Sequence, residues 1–451
     1  MFRKDLSAFS AEIHNIVNNY VFLRIIMIRL SFIISCLAFV VTVQGQLPDH
    51  IYKSNIKSVK LHKANDPSGY PIIRLNSVDD LDLYFDDLDG GIKNYYYSFQ
   101  LCNADWTPSN LYTFDYIKGF LSNRITTYRN SSISFTKYTN YYARVPDRNC
   151  SPTKSGNYLL KVFLDGDTSK LVFTKRFLVF EPKSSVAGQI LQPFSGSLFR
   201  THQKVQAAVN INSQLNIFNQ QDIKVVILQN YSWPTAAYLN RPTIYRGSYF
   251  EYNDESNNSF PAGKEWRWID LRSNRLMSER MERLDKQPTR TDVYVKPDGE
   301  RKNQMYYYYR DLNGLYTIET IDNVNPFWQS DYSFVHFTYY PPNNQQYPEK
   351  DIYLYGELTN YETNNDSKLE FNEERGAYEK TLFLKQGFYN YSYVTLPVKK
   401  SDEEISIENT EGNYASTENV YMILVYYRAF GGRYDELIGL TTLNSLLERP
   451  R

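Results

Sequence analysis

Residues 155–180 read SGNYLLKVFLDGDTSKLVFTKRFLVF, and this stretch decides the fold. It contains two runs of aliphatic and aromatic residues, 158–164 and 171–180, on either side of the turn signal Asp165-Gly166. Aromatic and β-branched residues favour half-buried strand positions, and a Gly-containing turn between two such runs is typical of a β-hairpin. The stretch therefore predicts a pair of antiparallel strands.

Strand-like runs recur through the rest of the chain, separated by turn signals such as Asp89-Gly90-Gly91. Short strands at this spacing indicate antiparallel sandwiches, and the hairpin at 155–180 resembles the closing strands of an immunoglobulin-like domain. Residues 272–286 are highly charged and are predicted as either a short helix or a solvated loop. The predicted strands are 81–85, 95–101, 133–136, 158–164, 171–180, 204–211, 223–229, 266–271, 332–340, 352–355, 378–384, 389–394 and 420–427.

The composition agrees with an all-β protein and argues against two classes of partner. Tyr is abundant at 41 residues, with 26 Phe; both suit strands, and Tyr also suits protein interfaces. The 50 basic side chains are matched by 50 acidic ones, so no electrostatic field would draw the chain to nucleic acid or to an anionic membrane. We therefore predict tandem immunoglobulin-like or early-set β-sandwich domains, with no nucleic-acid partner and no direct membrane insertion.

Two interruptions divide the strand pattern into three domains. Pro182 follows the run 171–180, and proline does not continue a central strand. Clear alternation of apolar and polar residues resumes after Pro326. We predict an N-terminal immunoglobulin-like domain at 46–182, a middle β-rich domain at 183–330 and a C-terminal early-set-like sandwich at 331–451.

The N-terminus has the pattern of a secretory signal peptide. A short basic start precedes an apolar run at 30–43, and the small residue Gly45 follows it, as in signals cleaved on export. The run is short for a membrane span. We predict that residues 1–45 are a signal peptide whose true start is Met27, and that the mature, exported chain begins at Gln46.

Export would leave two cysteines, Cys102 and Cys150, in an oxidising compartment. They could form a single disulfide there. They could equally remain two buried thiols, because the sequence does not fix the distance between them. The sequence leaves both alternatives open.

The mature sequence lacks the local patterns of known catalytic sites. It has no Gly-x-Ser-x-Gly turn and no glycine-rich phosphate loop, and neither mature cysteine lies in a nucleophile motif. Its histidines are too scattered to give metal-binding spacing. They are His50, His62, His202 and His336. We therefore predict a protein that is not an enzyme and has no catalytic, cofactor-binding or metal-binding residues.

Six aspartates within the eleven residues 79–89 form the strongest candidate for a metal site. Carboxylate oxygens suit Ca²⁺, but their order here matches no known calcium-binding loop. The aspartates flank the predicted strand 81–85 and a turn, where Asp is favoured for its local hydrogen bonds. We predict turn residues rather than calcium ligands at Asp79, Asp80, Asp82, Asp86, Asp87 and Asp89.

The last third of the chain carries three segments with a shared pattern, IYLYGEL at 352–358, GAYEKTL at 376–382 and QGFYNYSY at 386–393. Together they resemble glycogen-binding-type early-set domains, and the matching residues are those that form strands. The Trp that such modules stack on sugar is absent, because Asn360-Tyr361 stands in its place. The resemblance implies a sandwich, and an envelope glycan-binding accessory protein is the alternative function.

Two further segments are more specific, YYYSFQLCNADW at 95–106 and GGRYD at 431–435. With the run 155–162 and the residues around Arg428 they resemble one family, the plug proteins of the type IX secretion system of Bacteroidetes. The matching segments follow the family's order along nearly the whole mature chain. The family-motif residues, with structural or interface roles, are Tyr96, Cys102, Asp105, Trp106, Arg428, Gly431, Gly432, Arg433, Tyr434 and Asp435.

This resemblance implies a periplasmic protein that is associated with the outer membrane through its partner. The implied partner is the giant outer-membrane β-barrel of the translocon, whose periplasmic mouth the family is thought to seal until cargo arrives. The family has no catalytic residues and no cofactor to carry over. Trp106 is expected to be structural, packing on the edge of the first domain.

Overall fold

The structure is a computed structural model that describes residues 47–212, 215–398 and 405–447. The predicted signal peptide and start site lie outside these residues. Regular structure within them is almost entirely β, which confirms the predicted all-β fold. The helical segments of this part are single turns: α1 (Thr113–Tyr116), α2 (Glu255–Asn258), and the 3-10 turns Gln220–Asp222, Pro342–Asn344 and Glu357–Thr359.

The first sandwich contains the strands β1 (Ile56–Lys63), β2 (Ile72–Arg74), β3 (Leu81–Asp87), β4 (Tyr95–Cys102), β5 (Ile117–Gly119), β6 (Asn123–Arg124), β7 (Thr127–Asn130), β8 (Thr139–Val145), β9 (Cys150–Pro152), β10 (Gly156–Leu164) and β11 (Leu171–Phe180). One sheet has the order β1-β3-β8-β7 and the other β2-β11-β10-β4-β6, while β5 and β9 form a small ribbon. The hairpin predicted at 155–180 is confirmed as β10–β11, where Tyr158 lies opposite Phe177. Inward side chains of both sheets share one buried core.

The strand predicted at 133–136 is wrong. Ile133 has a φ of 73°, a left-handed conformation that a β-branched residue adopts in turns rather than in strands. The backbone N–H groups of Phe135 and Thr136 donate to the carboxylate of Asp331, at 2.8 and 3.0 Å. The segment is therefore a loop that holds on to a different part of the chain.

The middle sandwich begins with β12 (Ser184–Leu191), β13 (His202–Ile211), β14 (Ile223–Gln229), β15 (Ala237–Leu239), β16 (Ile244–Arg246), β17 (Tyr249–Tyr252) and β18 (Ser259–Pro261). One of its sheets has the order β12-β13-β17-β16, with β18 also on β13. The other sheet starts from the pair β15-β14. Because β11 ends at Phe180 and β12 begins at Ser184, only three residues separate the first two sandwiches.

The third sandwich contains β19 (Arg267–Asp270), β20 (Met281–Gln287), β21 (Arg290–Val295), β22 (Asp298–Gly299), β23 (Tyr316–Ile318), β24 (Tyr332–Tyr340), β25 (Lys350–Tyr355), β26 (Glu370–Asn372), β27 (Ala377–Lys385) and β28 (Gly387–Pro397). One sheet joins β19, β28, β23 and β25, and the other has the order β20-β21-β24-β27-β26, with β22 on β24. In the charged segment 272–286, residues 272–280 form a loop and 281–286 belong to β20, so the alternative of a short helix is wrong and the alternative of a loop holds only for the first part.

The last two strands, β29 (Val420–Tyr427) and β30 (Glu436–Asn444), return to the middle sandwich. They complete its second sheet in the order β15-β14-β29-β30, with Ile227 opposite Ile423. The middle sandwich therefore uses residues 184–261 and 420–444, while the third uses 267–397. These bounds differ from the predicted boundary between 330 and 331. The middle sandwich is not one contiguous segment, because the buried strand β14 pairs with β29 from the end of the chain.

Candidate functional site

The two specific motif segments meet in space. Asp435 directly precedes β30 and is 1% exposed. One of its carboxylate oxygens accepts the backbone N–H of Ala104 at 3.0 Å. Its other oxygen accepts Nε of Arg428 at 2.7 Å. Lys224 of β14 donates to both oxygens, at 3.0 and 3.1 Å. We call these four residues the Asp435 clamp.

The segment that the clamp grips is fixed from a second side. The side chain of Asn157, on β10, donates to the carbonyl oxygens of Asn103 and Ala104 at 3.0 and 3.2 Å. Its amide oxygen accepts the Tyr426 hydroxyl at 2.7 Å. Arg428 also donates to the side-chain oxygen of Asn103 at 2.8 Å. Three distant parts of the chain thus hold one turn of backbone.

The electrostatics of the clamp keep Asp435 charged. Burial on its own raises the pKa of this carboxyl, but the hydrogen bonds from Arg428 and Ala104 and the charge of Lys224 bring the pKa below its usual value. Asp435 is therefore an anion at neutral pH and binds both cations. The clamp is an ion cluster that joins the first sandwich to the middle one.

Trp106 was expected to pack on the edge of the first sandwich. In the structure it packs on the middle sandwich instead. Its ring meets Trp233 edge to face, with centroids 4.8 Å apart. The guanidinium of Arg176 lies over both rings, 4.9 Å from the Trp106 centroid and 5.6 Å from that of Trp233. Trp106 has a φ of 66°, a conformation costing about 1 kcal/mol or more that surrounding contacts must offset.

The remaining residues of the first motif have structural surroundings. Tyr96 on β4 is half-buried and stacks on Phe163 with centroids 6.3 Å apart. The exposed Asp105 accepts the backbone N–H of Thr107 at 3.0 Å, as in a turn. These contacts organise the loop without forming a site of their own.

Cys102 and Cys150 are both buried and both unbonded. Of the two alternatives, the structure has the pair of thiols and not the disulfide. Burial raises the pKa of each thiol to about 12, so neither is a thiolate at neutral pH.

The C-terminal motif makes a tight turn between β29 and β30. Gly431 has a φ of 72°, which suits glycine, and a Cβ on Gly432 would lie 2.7 Å from the carbonyl oxygen of Ala429. The Arg433 carbonyl accepts the N–H of Asn110 at 3.2 Å, and Tyr434 lies under the Lys154 ammonium at 5.5 Å. The turn therefore contacts the first sandwich along its length.

An exposed aromatic segment lies beside this turn, and we call residues 110–121 the aromatic loop. Tyr112 and Phe114 are 68% and 69% exposed and stack on each other with centroids 5.4 Å apart. Phe120 and Leu121 are also exposed. Within the loop, Asp115 lies 3.6 Å from the Arg433 guanidinium. These grouped apolar side chains are the candidate binding surface of the first sandwich.

The acidic cluster has structural partners. Asp82 pairs with Arg144 at 3.2 Å and Asp87 with Lys93 at 2.8 Å, while Asp86 forms a fully buried pair with Lys385. Over the described ranges, no group of three or more His, Cys, Asp or Glu side chains is placed to hold a metal ion. These three aspartates therefore bind cationic side chains of the protein itself, and they lie in strand β3 and not in the turn that was predicted for them.

The segment that replaces the sugar-stacking Trp contacts the first sandwich. Asn360 accepts the Lys175 ammonium at 2.8 Å, and Tyr361 packs edge to face on Tyr355 with centroids 5.3 Å apart. The hydroxyl of Tyr361 is buried. This position is therefore a contact between sandwiches and offers no open platform for a sugar ring.

Sequence reasoning named the motif residues but missed their partners. Lys224, Trp233 and Arg176 each lie far along the chain from the residues they contact, and no local pattern marks them; Asn157 lies in the matching run 155–162, but its role was not visible there. In the part of the chain that the structure describes, we find no helix with the length and apolar character needed to cross a membrane.

Comparisons with known proteins point in one direction. Residues 56–181 match the family described as "Type 9 secretion system plug protein 1st domain", a range that corresponds to the first sandwich. The chain is also similar to a hypothetical protein of known crystal structure from Parabacteroides merdae ATCC 43184, with 31% identity and a TM-score of 0.84. That similarity covers 89% of this chain and 100% of the other. No curated protein matches the sequence.

Proposed function

The chain belongs to the type IX secretion system plug protein family, and we propose that it binds the outer-membrane translocon barrel from the periplasm and seals the mouth of that barrel when cargo is absent. In this proposal it acts by binding alone, without catalysis or a cofactor. The observation that carries it is the family match over 56–181, because the exposed aromatic loop lies within the same range.

The aromatic loop supports a docking role for the first sandwich. Tyr112 and Phe114 offer two rigid rings that a partner can cover at little entropic cost, as binding anchors do. The loop begins at Asn110, a few residues after the clamped Ala104, and its first N–H donates to the Arg433 carbonyl at 3.2 Å. The clamp therefore gives the loop a fixed base, and a pre-organised surface binds more tightly than one that must be ordered first.

The charge distribution supports an apolar rather than an electrostatic contact. The whole chain has equal numbers of basic and acidic side chains, and the Asp115–Arg433 pair lies beside the exposed rings. Affinity would then come from burying aromatic area, with polar groups at the rim. A seal that must open for cargo also needs an interface of modest size.

A pull-down from outer-membrane extract tests the proposal. The mature protein should capture a very large barrel protein, and the double variant Tyr112→Ser, Phe114→Ser should lose that capture while it unfolds like the wild type. The matched control is Tyr307→Ser, Tyr308→Ser, which alters an exposed aromatic pair of the third sandwich. Wild-type protein that captures no barrel would overturn the proposed function, and equal capture by both variants would overturn the role of the loop.

A further inference from the structure

A cavity of about 50 Å³ lies where the three sandwiches meet, apart from the aromatic loop and the clamp. All three contribute to its walls. The lining residues include Lys60, Lys175, Arg176, Trp233, Glu357 and Tyr361. The exposed residues Pro67 and Ser68 stand at its edge, so the cavity has a side that solvent reaches.

The walls have an excess of positive charge. Lys60 pairs with Glu357 at 2.6 Å, and Arg176 pairs with Asp49 at 2.7 Å. Lys175 is 7% exposed, and no carboxylate in the described residues lies within 4.0 Å of its ammonium, which donates to the Asn360 amide oxygen. A buried ammonium with only a neutral acceptor is costly.

His62, which also lines the cavity, does not change this balance. Burial lowers the pKa of its imidazole, so the ring is neutral at pH 7. The three cations around the cavity therefore face two carboxylates, and the surplus charge is that of Lys175.

Within the described part of the chain, several residues that line the cavity carry hydrogen-bond donors without acceptors. The Trp233 Nε1–H, in a side chain 6% exposed, has no hydrogen-bond partner among the described residues. The same holds for Nε of Arg176 and for the hydroxyls of Tyr231 and Tyr361. Burial raises the pKa of the Tyr231 hydroxyl, and the nearby Trp233 N–H opposes that rise. The two groups are nevertheless outside hydrogen-bond geometry. Native proteins rarely leave several buried donors unsatisfied in one place.

We propose that this cavity binds one small inorganic oxyanion of the size of phosphate. Such an ion accepts hydrogen bonds from several donors at once and supplies the negative charge that Lys175 lacks. Since a water needs about 10–15 Å³, the cavity could instead hold a few waters. Water would satisfy the donors but leave the surplus charge in place. The ion would tie together side chains of all three sandwiches.

Calorimetric titration of the full mature chain with sodium phosphate, at constant ionic strength set with NaCl, tests this inference. We expect saturable binding of one phosphate per chain and a rise in Tm with phosphate concentration, because a ligand that binds only the folded state stabilises it. Lys175→Met should raise the Kd at least about tenfold, since it removes a charge-assisted contact. Acetate and glycerol arms separate a phosphate-sized oxyanion from a carboxylate and from a neutral solute.

The matched control is Lys161→Met. Lys161 is also a strand lysine without a carboxylate partner in the described residues, and it lies outside the cavity, so its variant should bind phosphate like the wild type. If Lys175→Met does not fold, Trp233→Phe keeps an aromatic side chain, removes the Nε1–H donor and should still weaken binding. A wild-type chain that ignores phosphate, or variants of Lys175 and Lys161 with equal phosphate affinity, would overturn the inference. These outcomes are independent of barrel capture.

Discussion

Asp435 connects two segments 331 residues apart because its buried carboxylate accepts donors from both. The clamp is a property of single residues: a neutral side chain of the same shape would leave Arg428 and Lys224 facing each other without an anion between them. Both cations are partly exposed, so solvent compensates for some of that loss.

Asp435→Asn should lower the free energy of unfolding by about 2 kcal/mol at pH 7, less than for a fully buried pair. Since the folded pKa of Asp435 is lowered, its contribution is present above the unfolded value of 3.8 and disappears as the pH falls through the lower folded value. Urea unfolding of both proteins over a pH series should therefore show curves that converge in acid.

The control for this experiment is Asp105→Asn, which changes an exposed carboxylate of the other motif segment, 95–106. It should shift stability by less than about 1 kcal/mol. A constant gap between the wild type and Asp435→Asn down to the lowest pH would mean that the charge of Asp435 does not hold the clamp.

At the scale of strands, local pattern predicted the elements and could not predict their partners. The runs that became β3, β4, β10, β11 and β24 were visible because alternating apolar residues and turn signals are short-range features. The pairing of β14 with β29 depends on which strand edges are complementary. The alternation of apolar and polar residues along one strand does not predict its partner. The strand predicted at 133–136 failed for a related reason, since tertiary contacts with Asp331 outweigh its β propensity.

The candidate site shows the same division. Both motif segments were recognisable in the sequence, but the contact between Ala104 and Asp435 exists only after β29 and β30 have joined the middle sandwich. The donors that surround the central cavity were not recognisable, because Lys175 and Trp233 look like an ordinary strand lysine and an ordinary core aromatic.

A chain that ends at residue 419 should lose the middle sandwich rather than the third one. It lacks β29 and β30, so β14 would expose its buried edge and the apolar side chains of Val225 and Ile227. We expect limited proteolysis to cut residues 184–261 first, and one cooperative unfolding transition to be lost. A chain that ends at 447 is the control. Cleavage concentrated in 267–397 would instead support a contiguous C-terminal domain.

At the scale of the whole molecule, the sandwiches are held together by buried ion pairs in addition to apolar contacts. Lys385 of the third sandwich is enclosed with Asp86 of the first, and Tyr332 donates to the same carboxylate at 2.7 Å. Lys60 and Glu357 form a second pair across this boundary. Separating the sandwiches would return these ions to water, so the pairs add little net stability but fix which faces of the sandwiches meet.

A plug that binds through exposed aromatic rings should attach almost independently of salt. The chain has no net formal charge, so long-range attraction is weak and affinity rests on apolar burial. The Kd for the isolated barrel should change less than about threefold between 50 and 150 mM NaCl, a range over which screening weakens charge-driven contacts.

Deleting the gene should leave the barrel assembled but permeable to solutes that the parent strain excludes. Expression of the wild-type protein should restore the seal, and the Tyr112→Ser, Phe114→Ser variant should not, because it keeps the sandwiches while losing two anchors. Uptake of a normally excluded dye reports the seal, and the amount of barrel in the outer membrane serves as the control. A deletion strain as tight as its parent, with barrel present, would rule out sealing. If in addition the protein were retained on a glycan column, the alternative role in glycan binding would become the better account.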